Sequence, residues 1–75
     1  MSKYRWINDD IKIDFPIDDE VLQNAIDDCE RYDLAGDYQY IGMARAIDTL
    51  CKAYVTGGHM SQRQWDMLVS RYPEL

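Results

Sequence analysis

Carboxylates are the residues of this chain with the clearest chemical potential. Asp9, Asp10, Asp14, Asp18, Asp19, Glu20, Asp27, Asp28, Glu30 and Asp33 crowd the first half of the 75-residue sequence. Closely spaced carboxylates can hold a cation or face a basic macromolecular surface. The run Asp27-Asp28-Cys29-Glu30-Arg31-Tyr32-Asp33 lacks the alternating oxygen ligands and sixth-position glycine of a calcium loop. Glu30 and Asp33, three apart on a helix, can share a divalent cation only weakly, so neither a metal nor a cofactor is expected. His59 is the only histidine. A nucleophile–base pair would join it to Cys51 or Ser61, and no third group is placed to orient them. An enzyme is therefore not expected. Cys29 and Cys51 are too few and too far apart for a disulfide scaffold or a zinc site, and both fall on apolar stripes.

The net charge of −6 is unevenly spread. Residues 1–37 carry eleven acids against four bases, a balance of −7, and residues 38–75 carry three against four, a balance of +1. An acidic half repels nucleic acid and anionic lipid and attracts basic protein surfaces. The expected partner is thus a protein with a basic surface, contacted through Asp9, Asp10, Asp14, Asp27, Asp28, Glu30 and Asp33. The alternative reading of the same run is a solvated face that keeps a small protein soluble, with Asp18, Asp19 and Glu20 as helix caps. No window holds the roughly 18 apolar residues of a membrane helix, and the first residues lack an apolar signal core, so a cytoplasmic location without membrane contact is expected.

The elements that must position these groups are legible from period and caps. Tyr4 and Trp6, then Ile11, Ile13 and Phe15, alternate with polar residues around Asn8-Asp9-Asp10, which predicts a β-hairpin over about 3–15. The alternative is an extended arm without pairing. Pro16 ends the alternation, and Asp18 is the expected N-cap of a first helix over 19–35. That helix has an apolar stripe of Leu22, Ala25, Ile26 and Cys29, an acidic outer face of Asp27, Asp28, Glu30 and Asp33, and a stop at Gly36. Asp37 is the expected cap of a second helix over 38–56, whose broad stripe (Tyr40, Met43, Ala44, Ile47, Leu50, Cys51, Tyr54) marks it as central. Gly42 and nearby alanines offer close approach to a neighbouring backbone. A third helix over 61–72 opens on the capping box Ser61-x-x-Gln64 and closes before Pro73. The expected fold is a single α+β domain over 1–75, mainly helical, with a hairpin followed by a three-helix bundle.

Two further readings concern surfaces. The second and third helices have the outline of a helix-turn-helix, with Gln62, Arg63 and Gln64 placed as base readers, but only four bases are available in that half. Trp6, Tyr4, Tyr38, Met67 and Tyr32 fall at the edges of the stripes, and exposed Trp and Tyr are common anchors at interfaces; Trp6 and Tyr32 join the acids as candidate contacts.

Residues 58–72, from Gly58-His59-Met60-Ser61 through Gln64-Trp65-Asp66 to Arg71-Tyr72, resemble a tail seen in small accessory proteins of bacteriophages and other mobile elements of low-GC bacteria. That resemblance implies a host-directed protein of a group that includes anti-CRISPR and anti-restriction inhibitors, and it assigns no residue a role. The expectation is a non-enzymatic acidic binding module that occupies a basic nucleic-acid-binding surface of a target. A small DNA-binding regulator and a self-associating assembly subunit are the alternatives.

Overall fold

The computed structural model describes residues 3–75. Three helices follow one another: α1 (Glu20–Ala35), α2 (Gln39–Thr56) and α3 (Gln62–Arg71). Each lies within a residue or two of its expected span. Among the described residues there is no β-strand. The expected hairpin over 3–15, and the α+β class that rested on it, are therefore overturned: an all-helical domain carries an extended N-terminal strap.

Local chemistry sets the helix ends. Asp19, rather than the expected Asp18, is the N-cap of α1, and its carboxylate accepts the Leu22 N–H at 3.0 Å. Gly36 ends α1 in the left-handed region at φ 68°, where its N–H donates to Asp33 O and the Asp37 N–H donates to Tyr32 O. This paired closure satisfies two orphan carbonyls and turns the chain back on itself. The N-cap of α2 is Tyr38 and not Asp37, although the Asp37 carboxylate accepts the Gln39 N–H at 2.9 Å. After α2, Gly58 at φ 79° repeats the same closure, with its own N–H on Val55 O and the His59 N–H on Tyr54 O. Ser61 and Gln64 then form the reciprocal capping box that starts α3.

α2 is the central helix. Both α1 and α3 pack on it, and their own backbones do not approach one another. The core combines Leu22, Ala25, Ile26 and Cys29 of α1 with Tyr40, Ala44, Ile47 and Cys51 of α2, closed by Leu68 and Tyr72 and by Ile7 of the strap. The small residues do not all serve packing. Gly42 is exposed, and a Cβ built there meets nothing within 4 Å, so the expected close approach at this glycine does not occur.

The strap explains why two alternating segments fail to pair. The turn at Asn8–Ile11 does form, with the Ile11 N–H on Asn8 O and the Asp10 N–H on the Asn8 side chain. Its two arms are then claimed by the helices. Asp33, fully buried on α1, accepts the backbone N–H of Arg5 at 2.8 Å, of Trp6 at 2.7 Å and of Ile7 at 2.9 Å. Arg71 of α3 accepts the Asn8 N–H on its carbonyl and donates its guanidinium to Ile11 O at 2.6 Å. Backbone groups satisfied in this way have no need of a ladder. The period of two survives as burial, because Ile11, Ile13, Phe15 and Ile17 are half-buried while Lys12, Asp14 and Pro16 face solvent. An isolated two-stranded hairpin is marginal in water, whereas this strap buries its apolar side against the helices. Among the described residues no helix is long and apolar enough to cross a membrane.

Candidate functional site

The expected acidic contacts separate into used and unused carboxylates. Asp33 is used: it is 0% exposed and saturated by the strap, so it is structural and does not belong to the outer face. Asp9 pairs with Lys12 at 3.3 Å and Arg71 at 3.5 Å, and hydrogen bonding to Lys12 holds its carboxyl below the ordinary value. Asp14 takes a forked pair from Arg63, with its shorter arm at 2.5 Å, and that hydrogen bonding lowers its pKa likewise. Asp28 pairs with Arg31 at 2.9 Å, and Glu30 accepts the Tyr72 hydroxyl at 3.2 Å.

What remains is a smaller acidic set. In the first half of the chain Asp10, Asp18, Glu20 and Asp27 are exposed and have no cationic partner among the described residues, Asp27 meeting only the Gln23 amide at 2.9 Å; Asp66 on α3 is likewise exposed and meets only the Gln62 amide. Glu20 and Asp27 lie seven residues apart on α1, two turns along one outer face, with Asp28 beside them. Asp18 and Glu20 flank the helix start.

The cations are distributed in the opposite sense. Lys12, Arg31, Arg45, Arg63 and Arg71, five of the eight, are engaged in ion pairs within the chain. At the start of α3, where base-reading side chains would have to project, Gln62 is bonded to Asp66 and Arg63 to Asp14. Gln64 closes the capping box. A recognition helix needs those side chains free to reach base edges.

The two expected aromatic contacts are half-buried. Trp6 lies between Tyr40, at 5.1 Å between ring centroids, and Tyr38, at 5.6 Å. Tyr32 carries the Arg31 guanidinium over its ring at 5.0 Å. Among the described residues Tyr38 is the most exposed of the large apolar side chains, at 73%. The aromatic surface near the α1–α2 turn is thus chiefly Tyr38, with Trp6 beneath it.

A hollow of about 540 Å³ lies where the end of the strap, the start of α1, the end of α2 and the α2–α3 loop meet. Phe15, Pro16, Ile17, Leu22 and Met60 supply its apolar wall. Asp18, Asp19, Tyr54, His59 and Gln64 supply polar groups. The Tyr54 hydroxyl donates to Asp19 Oδ2, and that hydrogen bond raises the tyrosine pKa. The same oxygen accepts the Leu22 N–H, while Asp19 Oδ1 takes no hydrogen bond among the described residues. The sequence places the α1 cap one residue early, at Asp18, and places the loop histidine separately. It does not reveal their meeting, because Asp19 and Tyr54 are 35 residues apart and only the antiparallel return of α2 joins them.

Neither cysteine is available for chemistry. Burial pushes the Cys29 thiol up to about 12, with Asp33 and Glu30 adding to the effect, and it pushes Cys51 up to about 11. Among the described residues no three metal-ligating side chains are gathered at one point. No protein family, curated protein or solved structure matches this chain. The physical features that remain are a strapped bundle with five of its eight cations paired internally, unpaired Glu20 and Asp27 on the outer face of α1, and a mixed hollow at the start of that helix.

Proposed function

We propose that this protein is a non-enzymatic binding module that docks on a basic protein surface through the outer edge of α1. The observation that carries this reading is the asymmetry of pairing. Five cations are spent within the chain, while Asp10, Asp18, Glu20 and Asp27 stay exposed and unpaired. The charges of Glu20 and Asp27, fixed on a helix that the strap holds in place, are preorganised for a complementary surface and need little ordering on contact. Asp33 and Glu30 act behind this edge as structural supports. A basic surface that ordinarily binds nucleic acid fits the charge. The likeness of residues 58–72 to mobile-element accessory proteins favours an inhibitor of a nucleic-acid-handling complex.

The engagement of Gln62, Arg63 and Gln64 within α3 counts against the regulator that reads DNA. The test is charge reversal. Glu20→Lys/Asp27→Lys is expected to abolish capture of basic proteins from bacterial lysate while leaving the helical circular dichroism unchanged. Undiminished capture by the folded double variant would remove the basis of the proposal.

A further inference from the structure

The hollow beside the acidic edge has a composition that selects its occupant. Its lining joins the apolar Phe15, Pro16, Ile17, Leu22 and Met60 to two acids, Asp18 and Asp19, with Tyr54, His59 and Gln64 as the other polar groups. No lysine or arginine of the chain lines it. Its volume of about 540 Å³ lies in the range of sites that enclose small ligands or a single anchoring side chain. A neutral apolar occupant would strip water from two carboxylates without compensation, which is costly. An anion would be repelled. The complementary ligand has an apolar stem and a cationic head.

The hydrogen bonding narrows this further. Asp19 Oδ2 is already taken by the Leu22 N–H and the Tyr54 hydroxyl, which leaves Oδ1 as its one open acceptor. A guanidinium is best met by both oxygens of one carboxylate in a fork; Asp19 does not offer that, and the open fork of Asp18 is solvent-exposed, where water competes for it. An ammonium is a compact charge with three donors, able to divide itself between Asp19 Oδ1 and the unpaired Asp18. Its four-carbon stem can lie along apolar wall while the head stays at the polar side.

We propose that this hollow takes a lysine side chain of the partner protein, making it the anchor of the acidic edge. This inference rests on the docking function proposed above and gives it a definite contact. Tyr54 is a positioning residue in this scheme, because it fixes the Asp19 carboxylate with one oxygen turned free.

The test is a chemical-shift titration of the uniformly ¹⁵N-labelled full chain at low salt. The probes are an end-blocked Gly-Gly-Lys-Gly-Gly peptide, its norleucine and arginine counterparts, and hexalysine. The lysine peptide is expected to move the amides of Ile17–Leu22, Tyr54 and His59–Gln64, and norleucine is expected to move none of them. Asp18→Asn should weaken the lysine peptide about threefold, the order expected of one partly exposed charge pair. Equal shifts from norleucine, or tighter binding of the arginine peptide, would overturn the lysine assignment. Hexalysine shifts along Asp27 and Asp28 with none at Tyr54 or His59–Gln64 would overturn the anchor and leave the docking reading intact. Silence toward every probe would remove both.

Discussion

Asp33→Asn isolates the contact on which the strap depends. In the native fold Asp33 Oδ1 accepts the Arg5 N–H, and Oδ2 accepts those of Trp6 and Ile7. Hydrogen bonds to a charged group contribute about 1.5–3 kcal/mol each, against about 1 kcal/mol for a neutral pair. The best placement of the asparagine puts its oxygen at the Oδ2 position. Two bonds survive as neutral ones, and the NH₂ group is left facing the Arg5 N–H, donor against donor. Replacing a buried charge by a neutral amide recovers part of the desolvation cost. The net destabilisation is about 3 kcal/mol, a large share of the roughly 4–11 kcal/mol expected for a domain of this length. Urea unfolding followed by tryptophan fluorescence measures the difference. Hydrogen exchange at the amides of residues 5–7 shows whether the strap is released before the bundle melts. Asp27→Asn is the control, since it removes the same charge from an exposed position of the same helix and should shift stability by less than about 0.5 kcal/mol. If the two variants unfold alike, the strap is not held by Asp33 and the account of the fold given above is wrong.

Other consequences follow from the same packing. Gly42→Ala should stabilise the protein by about 0.8 kcal/mol in urea, because the position is exposed, helical and open to a Cβ; destabilisation would mean that a neighbour covers the site. Cys29 and Cys51 should resist a thiol reagent at pH 8 in the native protein and react together on unfolding, since both thiols are buried and their pKa values raised; rapid native labelling would contradict that burial. Asp9 and Asp14 have folded pKa values lowered by hydrogen bonding to Lys12 and Arg63 from the ordinary aspartate value of 3.8. Their stabilising contribution is therefore complete above the unfolded value and is lost only as pH falls through the lower folded values. Carboxyl NMR titrations should show both midpoints below 3.8, and Arg63→Gln should return that of Asp14 towards it.

The helices were legible because each is written twice, in its stripe and in its caps. Leu22-Ala25-Ile26-Cys29, the left-handed Gly36 and the Ser61–Gln64 box all lie where local rules place them. The strap was half legible. Alternation at Ile11, Ile13, Phe15 and Ile17 does report an extended segment with one buried side. It is silent on whether the buried side meets a strand or a helix, and the deciding groups, Asp33 and Arg71, lie 26 and more residues away. Asp33 carries a local signal of burial that its acidic neighbours Asp27, Asp28 and Glu30 mask. It follows Leu22, Ile26 and Cys29 at helical spacing, and an acid in register with an apolar stripe marks a buried carboxylate that needs donors. For the candidate site, the charge asymmetry between the halves was visible. Which carboxylates remain unpaired was not, because Asp14–Arg63 and Asp9–Arg71 join distant parts of the chain.

The most direct test of the docking function is the ionic-strength dependence of partner binding, measured as the dissociation constant of the captured basic protein between low and high salt. Exposed charges separated by more than about 10 Å are screened at 0.1 M salt. Binding through the unpaired edge of α1 should therefore weaken steeply as salt rises, and the Glu20→Lys/Asp27→Lys variant should fail to bind at low salt. A dissociation constant unaffected by salt would contradict the account and move the interface to the apolar surface around Tyr38.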